Sequence, residues 1–128
     1  MALTSSLVVT TVSGGVTITK TMSLSGDLRV SINEASIADS TTDQAIVMAV
    51  DFSTIQFIYI VASVAMTFET NNATSPTDSW ALVANEPWIF WTGSLITNKL
   101  TADITVGYIT NASGGAGSFQ WESLHNTP

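Results

Sequence analysis

Apolar and polar residues alternate with period two along most of this chain. Val16, Ile18, Met22 and Leu24 alternate with Thr17, Thr19, Thr21 and Ser23, and Lys20 interrupts the apolar side once. Leu28, Val30 and Ile32 alternate with Asp27, Arg29, Ser31 and Asn33. Met66 and Phe68 alternate with Thr67 and Glu69, and Ile104, Val106 and Tyr108 with Thr105, Gly107 and Ile109. Successive side chains of a strand point to opposite faces, so this pattern predicts strands with one covered face. Val, Ile, Thr and aromatic residues fill these stretches, the types that suit a pleated surface.

Turn signals separate the runs. Ser13-Gly14-Gly15 predicts a hairpin between the first two strands. Ser25-Gly26-Asp27, the polar loop from Asn71 to Asp78, Asn85-Glu86-Pro87 and Ser113 to Gly117 mark further breaks. The expected strands cover 3–12, 16–24, 27–34, 44–51, 55–62, 64–70, 79–84, 87–92, 102–110 and 117–124. Glu34 to Thr42 is expected to be a short helix or an irregular crossover. Turns every eight to twelve residues predict one all-β domain over 1–128. It would be an antiparallel, jelly-roll-like β-sandwich of about eight to ten short strands, with a barrel as the alternative closure.

Ala45 to Met66 is mostly apolar and near a spanning length. Asp51 and Gln56 interrupt it, and no Lys or Arg flanks it. Two buried strands joined near Asp51 to Thr54 are expected there, not a membrane span. The stretch from Met1 to Val9 has no basic residue and no following cleavage pattern, so it does not read as a targeting segment.

Charge changes the picture. The chain has 128 residues, ten acidic and three basic, for a formal net charge of −7, and 10% of residues are charged. Lys20, Arg29 and Lys99 are too few for a nucleic-acid-binding face or for attraction to anionic lipid. At 45% apolar, the composition is the opposite of a disordered chain. Without cysteine there is no disulfide, thiolate nucleophile or zinc-thiolate site. A folded monomer of this size exposes roughly 6,500 Å². With so few charges, Ser, Thr, Asn and leftover apolar residues must coat that surface. Such a coat suits a homo-oligomer or a protein docked on a large assembly.

Candidate chemistry is sparse. His125 is four residues from the end, where chains usually fray, so it is expected to be a solvated tail residue. Asp39 and Asp43 flank Ser40-Thr41-Thr42, an oxygen-rich stretch that could hold calcium or serve as turn chemistry. Asn72-Ala73-Thr74 and Asn111-Ala112-Ser113 match the glycosylation sequon but arise easily in a Ser/Thr-rich chain. Trp80, Trp88, Phe90 and Trp91 lie within twelve residues. Trp88 and Phe90 share one strand face, and Ile89 and Trp91 the other. Both faces therefore need a cover, one of which could be a neighbouring subunit. These four aromatic residues are the candidate interface. No catalytic residues, metal ligands or cofactor are expected, and the chain does not read as an enzyme.

The run from Leu28 to Asn111 resembles small virion structural proteins of tailed bacteriophages. The resemblance rests on Ser40-Thr41-Thr42-Asp43-Gln44 before an apolar strand ending at Asp51, and on Ile55 to Val61. Thr67-Phe68-Glu69-Thr70-Asn71, a Pro-containing acidic loop through Asp78, and Asn85-Glu86-Pro87 before an aromatic strand complete it. It implies a capsid cement or decoration protein on the virion surface. Such a protein would bind the major capsid protein in many copies, as a dimer or trimer, without nucleic acid or membrane as partner. The alternative is a carbohydrate-binding or structural module of a phage tail, neck or fibre.

Overall fold

The computed structural model describes residues 2–127 and is almost entirely strand. In chain order the elements are β1 (Leu3–Ser13), β2 (Val16–Gly26), β3 (Leu28–Ile37), β4 (Thr41–Ile46), a 3₁₀ turn (Phe52–Thr54), β5 (Ile55–Ala62), β6 (Met66–Thr70), β7 (Ser79–Leu82), β8 (Trp88–Trp91), β9 (Gly107–Asn111) and β10 (Gly117–His125). One sheet has the order β3-β10-β5-β8 and the other β4-β9-β6-β7, all antiparallel. The first strand of the set thus pairs with the last, the second with the seventh, the third with the sixth and the fourth with the fifth. That nesting is the jelly roll, and it selects the sandwich over the barrel.

The core lies between the two sheets. Phe68 stands at its centre, stacked on Phe119 with ring centroids 5.1 Å apart. Trp80 and Trp121 pack against the same ring at 5.6 and 5.8 Å, and meet each other edge to face. Ile58, Ile60, Ile109 and Ile37 are fully buried around them. Gly107 is small because Phe68 fills its side of β9: a Cβ there would come within 2.6 Å of the ring.

Several boundaries differ from the sequence reading, among them the strand expected over 44–51, which is observed as Thr41–Ile46. The stretch from Glu34 to Thr42 contains no helix. The alternation of β3 runs on to Ile37, and a short turn closed by Thr41 Oγ1 donating to the Ala38 carbonyl at 2.7 Å starts β4. The strand expected over 102–110 pairs regularly only from Gly107, while Ile104 makes an isolated bridge to Val50. Ser25-Gly26-Asp27 breaks the chain where expected, between β2 and β3, which belong to different sheets. The apolar segment from Ala45 to Met66 folds as the end of β4, the turn at Phe52–Thr54 and β5, as its interruption at Asp51 suggests. Among the described residues no helix is long and apolar enough to cross a membrane.

β1 and β2 pair only with each other and stand outside both sandwich sheets. Their turn, Gly14 and Gly15, has φ of 57° and 81°, the two left-handed positions of a tight hairpin. Eleven pairs make an arm roughly 35 Å long. Its free length accounts for an accessible surface of 7102 Å², above that of a closed monomer of this size.

Candidate functional site

The register of the arm sorts its side chains into two unlike faces. Leu3, Leu7 and Val9 of β1 lie with Val16, Ile18, Lys20, Met22 and Leu24 of β2 on one face. The other carries Thr4, Ser6, Val8, Thr10 and Val12 opposite Ser25, Ser23, Thr21, Thr19 and Thr17. At the root, the apolar face meets the body: Leu3, Leu7, Met22 and Leu24 are half-buried, and β2 contacts β5 and β10. Phe57 and Leu124 point away from the sandwich core by strand parity, yet they are buried, because the arm root lies over them. From Val8 to Thr21 every residue is exposed. Val9, Val16 and Ile18, at 48%, 61% and 66% exposure, continue the apolar face with nothing over it.

The root is locked in place. Gly26 is buried against β10, where a Cβ would meet the His125 carbonyl oxygen at 2.6 Å. Asp27 N donates to the same carbonyl at 2.8 Å. The Asp27 carboxylate accepts from Thr127 N and Oγ1 at 2.8 and 2.9 Å, and these bonds hold it below the usual carboxylate range.

His125 is not a frayed tail residue. It is 1% exposed, because β10 is an interior strand of its sheet and His125 shares its inward face with Trp121 and Ser123. Trp121 Nε1 donates to Ser123 Oγ at 3.0 Å, which leaves the Ser123 hydroxyl to donate to His125 Nε2 at 2.8 Å. His125 Nδ1 then carries the proton and donates to Thr54 Oγ1 at 3.0 Å, and that hydroxyl donates to the Asp51 carbonyl at 3.0 Å. The chain fixes one neutral tautomer. Burial pushes the imidazole below its ordinary value, against the smaller opposing pull of Asp51. Ser123 is fully buried, so the Ser–His pair has no access to a substrate and acts as internal bracing.

A pH dependence follows. The unfolded chain takes up the histidine proton near pH 6.5, and the folded one only at lower pH. Stability from this group is complete above about pH 6.5 and is lost as pH falls below it. The urea midpoint should therefore drop between about pH 7 and pH 5, before the carboxylates titrate. In His125→Gln that slope should vanish. A midpoint flat over the interval in the native chain would contradict the neutral, buried assignment.

The aromatic candidates separate. Trp80 is 2% exposed, inside the core, and so cannot form an interface. Its strand, β7, alternates so that Trp80 and Leu82 point inward. Trp88 and Phe90 are half-buried and also pack against the core, Trp88 edge-on to Trp80 at 5.6 Å. Trp91 lies on the opposite face of β8, the outer face of its sheet, with Ile89. There, Ile89, Tyr59, Glu122 and Ser31 form one row across the four strands. Ser31 Oγ donates to Glu122 at 2.6 Å, and Arg29 pairs with the same carboxylate at 3.5 Å. Beside Trp80 and Trp88, Glu86, Pro87 and Lys99 line a shallow groove of about 130 Å³.

The acidic loop residues serve the backbone. Asp39 accepts from Gly114 N at 2.9 Å, and Asp43 from Thr110 Oγ1 at 3.2 Å. They do not share a site with a third ligand, and no cluster of three metal-binding side chains occurs among the described residues. Both sequons are Asx turns: Asn72 Oδ1 accepts from Thr74 N, and Asn111 Oδ1 from Ser113 N. Asn111 is fully buried, with its amide nitrogen bonded to three carbonyls, so in the folded chain it is closed to glycosylation.

Further apolar side chains sit on the connections at the arm-root end of the sandwich. Val47 is 93% exposed and Leu95 fully exposed, with Phe52 and Ile96 at 38% and 46%. They follow β4, precede β5 and follow β8, which all meet that end. Charge divides along the same line. All ten carboxylates and two of the three cations lie after Gly26, whereas the arm carries Lys20 alone. Sequence reasoning placed the arm strands correctly but had no signal for their exposure, since a covered and an uncovered strand face alternate alike. Comparison with family models, curated proteins and solved structures found no match to this chain.

Proposed function

We propose that this chain is a non-enzymatic structural protein that decorates the outer shell of a virion and stabilises it by binding the major capsid protein in many copies. The observation that carries the reading is the placement of exposed apolar side chains. Apart from Val83, they gather along the arm and around its root, at Leu28 and on the loops that carry Val47, Phe52, Leu95 and Ile96. The jelly-roll topology is one that capsid proteins use, which supports the reading by analogy. So does the resemblance of the Leu28 to Asn111 region to phage virion proteins. In this reading the root-end loops meet the shell. A few hundred Å² of apolar contact per copy supplies several kcal/mol gross at about 25 cal/mol per Å². Association entropy consumes much of that, so several copies bound together hold better than one.

Shells assembled without this chain, mixed with the purified protein and sedimented, test the proposal. Saturable co-sedimentation at a fixed ratio to the shell subunit is expected. Val47→Glu combined with Leu95→Glu should weaken that binding at least tenfold and change stability by no more than about 0.5 kcal/mol, because both sites are in solvent. No binding by the native chain would overturn the proposal. Retained binding by the double variant would move the docking face elsewhere.

A further inference from the structure

We infer that the free half of the β1–β2 arm packs against a second copy of this chain, laying the face of Val9, Ile18 and Lys20 across the outer face of the partner's β3-β10-β5-β8 sheet. Three observations carry this.

The first is continuity. Within one chain, the root of the arm already covers the Phe57 and Leu124 end of that sheet face with Leu3, Leu7, Met22 and Leu24. The adjacent row, Ile89, Tyr59 and Glu122, is left partly open. The same apolar arm face then runs on past Val8 without a cover. A second arm laid beside the first would extend a packing mode the chain already uses.

The second is charge. Lys20 stands opposite Val9 in the middle of the free apolar face. Arm against arm would bring lysines together with no acid nearby, since the arm has none. Arm against sheet brings Lys20 to a body that holds all the carboxylates, with Glu122 in the receiving row. Two bodies meeting directly would oppose like charges.

The third is area. The free part of β1 is about 20 Å long, and a two-stranded ribbon is about 10 Å wide. One such contact buries on the order of 400–500 Å² over both surfaces, short of the roughly 1,000 Å² a stable interface needs. Two reciprocal contacts bury about 800–1,000 Å², close to that size. The arrangement is therefore closed, each copy giving one arm and receiving one. This assembly does not depend on shell binding, and the purified chain alone tests it.

The chain has no cysteine, which makes crosslinking direct. Ile18→Cys chains are mixed with Ile89→Cys chains and oxidised, and the mass of the native protein is measured in parallel by light scattering. The expected result is a dimer, with a disulfide joining one Ile18→Cys chain to one Ile89→Cys chain. The double variant Val9→Glu, Ile18→Glu should be monomeric with an unchanged far-ultraviolet spectrum. Val12→Glu, on the Thr-rich face, should stay oligomeric. A monomeric native chain at about 100 μM would overturn the inference. So would disulfides formed only between Ile18→Cys chains, the mark of arm-to-arm packing, or an oligomer that survives the double variant.

Discussion

Trp121→Ala should lower the unfolding free energy by about 3–5 kcal/mol, near the upper end for a single core substitution. Trp121 is fully buried on the inner face of β10 and packs against two large rings of the core, Phe68 and Trp80. Removing it opens a cavity that rigid neighbouring strands cannot collapse. It also deprives Ser123 Oγ of its donor and so loosens the chain of bonds that orients His125. A domain with an ordinary stability of about 5–15 kcal/mol could be left largely unfolded at 37 °C. Urea unfolding followed by far-ultraviolet circular dichroism measures the loss. Trp91→Ala is the control: its half-buried side chain lies on the outer face, and the loss should be clearly smaller. Equal losses at the two sites would contradict the assignment of inner and outer faces.

Asn111→Asp should destabilise the fold more than Asn111→Ala does, although aspartate has the shape of asparagine. Asn111 Nδ2 donates to the carbonyls of Ile37, Ala38 and Gly115 at 3.0, 3.2 and 2.9 Å, while Oδ1 accepts from Ser113 N and Oγ. One side chain thus ties the end of β9 to the β3–β4 turn and to the turn before β10. Alanine leaves these groups without their partner, at about 1–3 kcal/mol for each that stays buried. Aspartate puts a buried charge against three carbonyl oxygens, which adds repulsion and desolvation. That environment raises the carboxyl pKa of the folded variant, so the difference should shrink as pH falls from about 7 towards about 4. Thermal unfolding of the two variants at about pH 7 and pH 4 checks the order. An aspartate variant as stable as the native chain would show that these bonds carry little.

How far the sequence reached depends on which physical signal each feature leaves. Strands leave period-two alternation, and the expected positions of β5, β6, β8 and β10 lie close to the observed ones. Turns leave Gly, Asn and Pro, which located the β1–β2 hairpin. The nesting of the strands into a jelly roll leaves no local mark, since it is decided by pairing across long separations. The site was less legible. Trp80 and Trp91 are the same residue type eleven positions apart, and only the inward and outward parity of β7 and β8 places one in the core and the other outside. His125 looked solvated because of its distance from the end of the chain. Its burial comes from β10 being sandwiched between β3 and β5. The arm alternates as a core strand does, and no periodicity can show that its cover is missing. Its lack of acidic residues was the one visible trace, and that acquires meaning only once the arm is seen to stand apart from an acidic body.

The proposed role is a structural one, in which this chain would act by being present in many copies on a shell. Quantitative mass spectrometry of purified virus particles from its source, counting this chain against the major capsid subunit, tests that claim most directly. Decoration predicts a ratio of about one to one, or one to a few. A handful of copies per particle would assign the chain to a tail or neck, and its absence from particles would contradict the virion reading altogether.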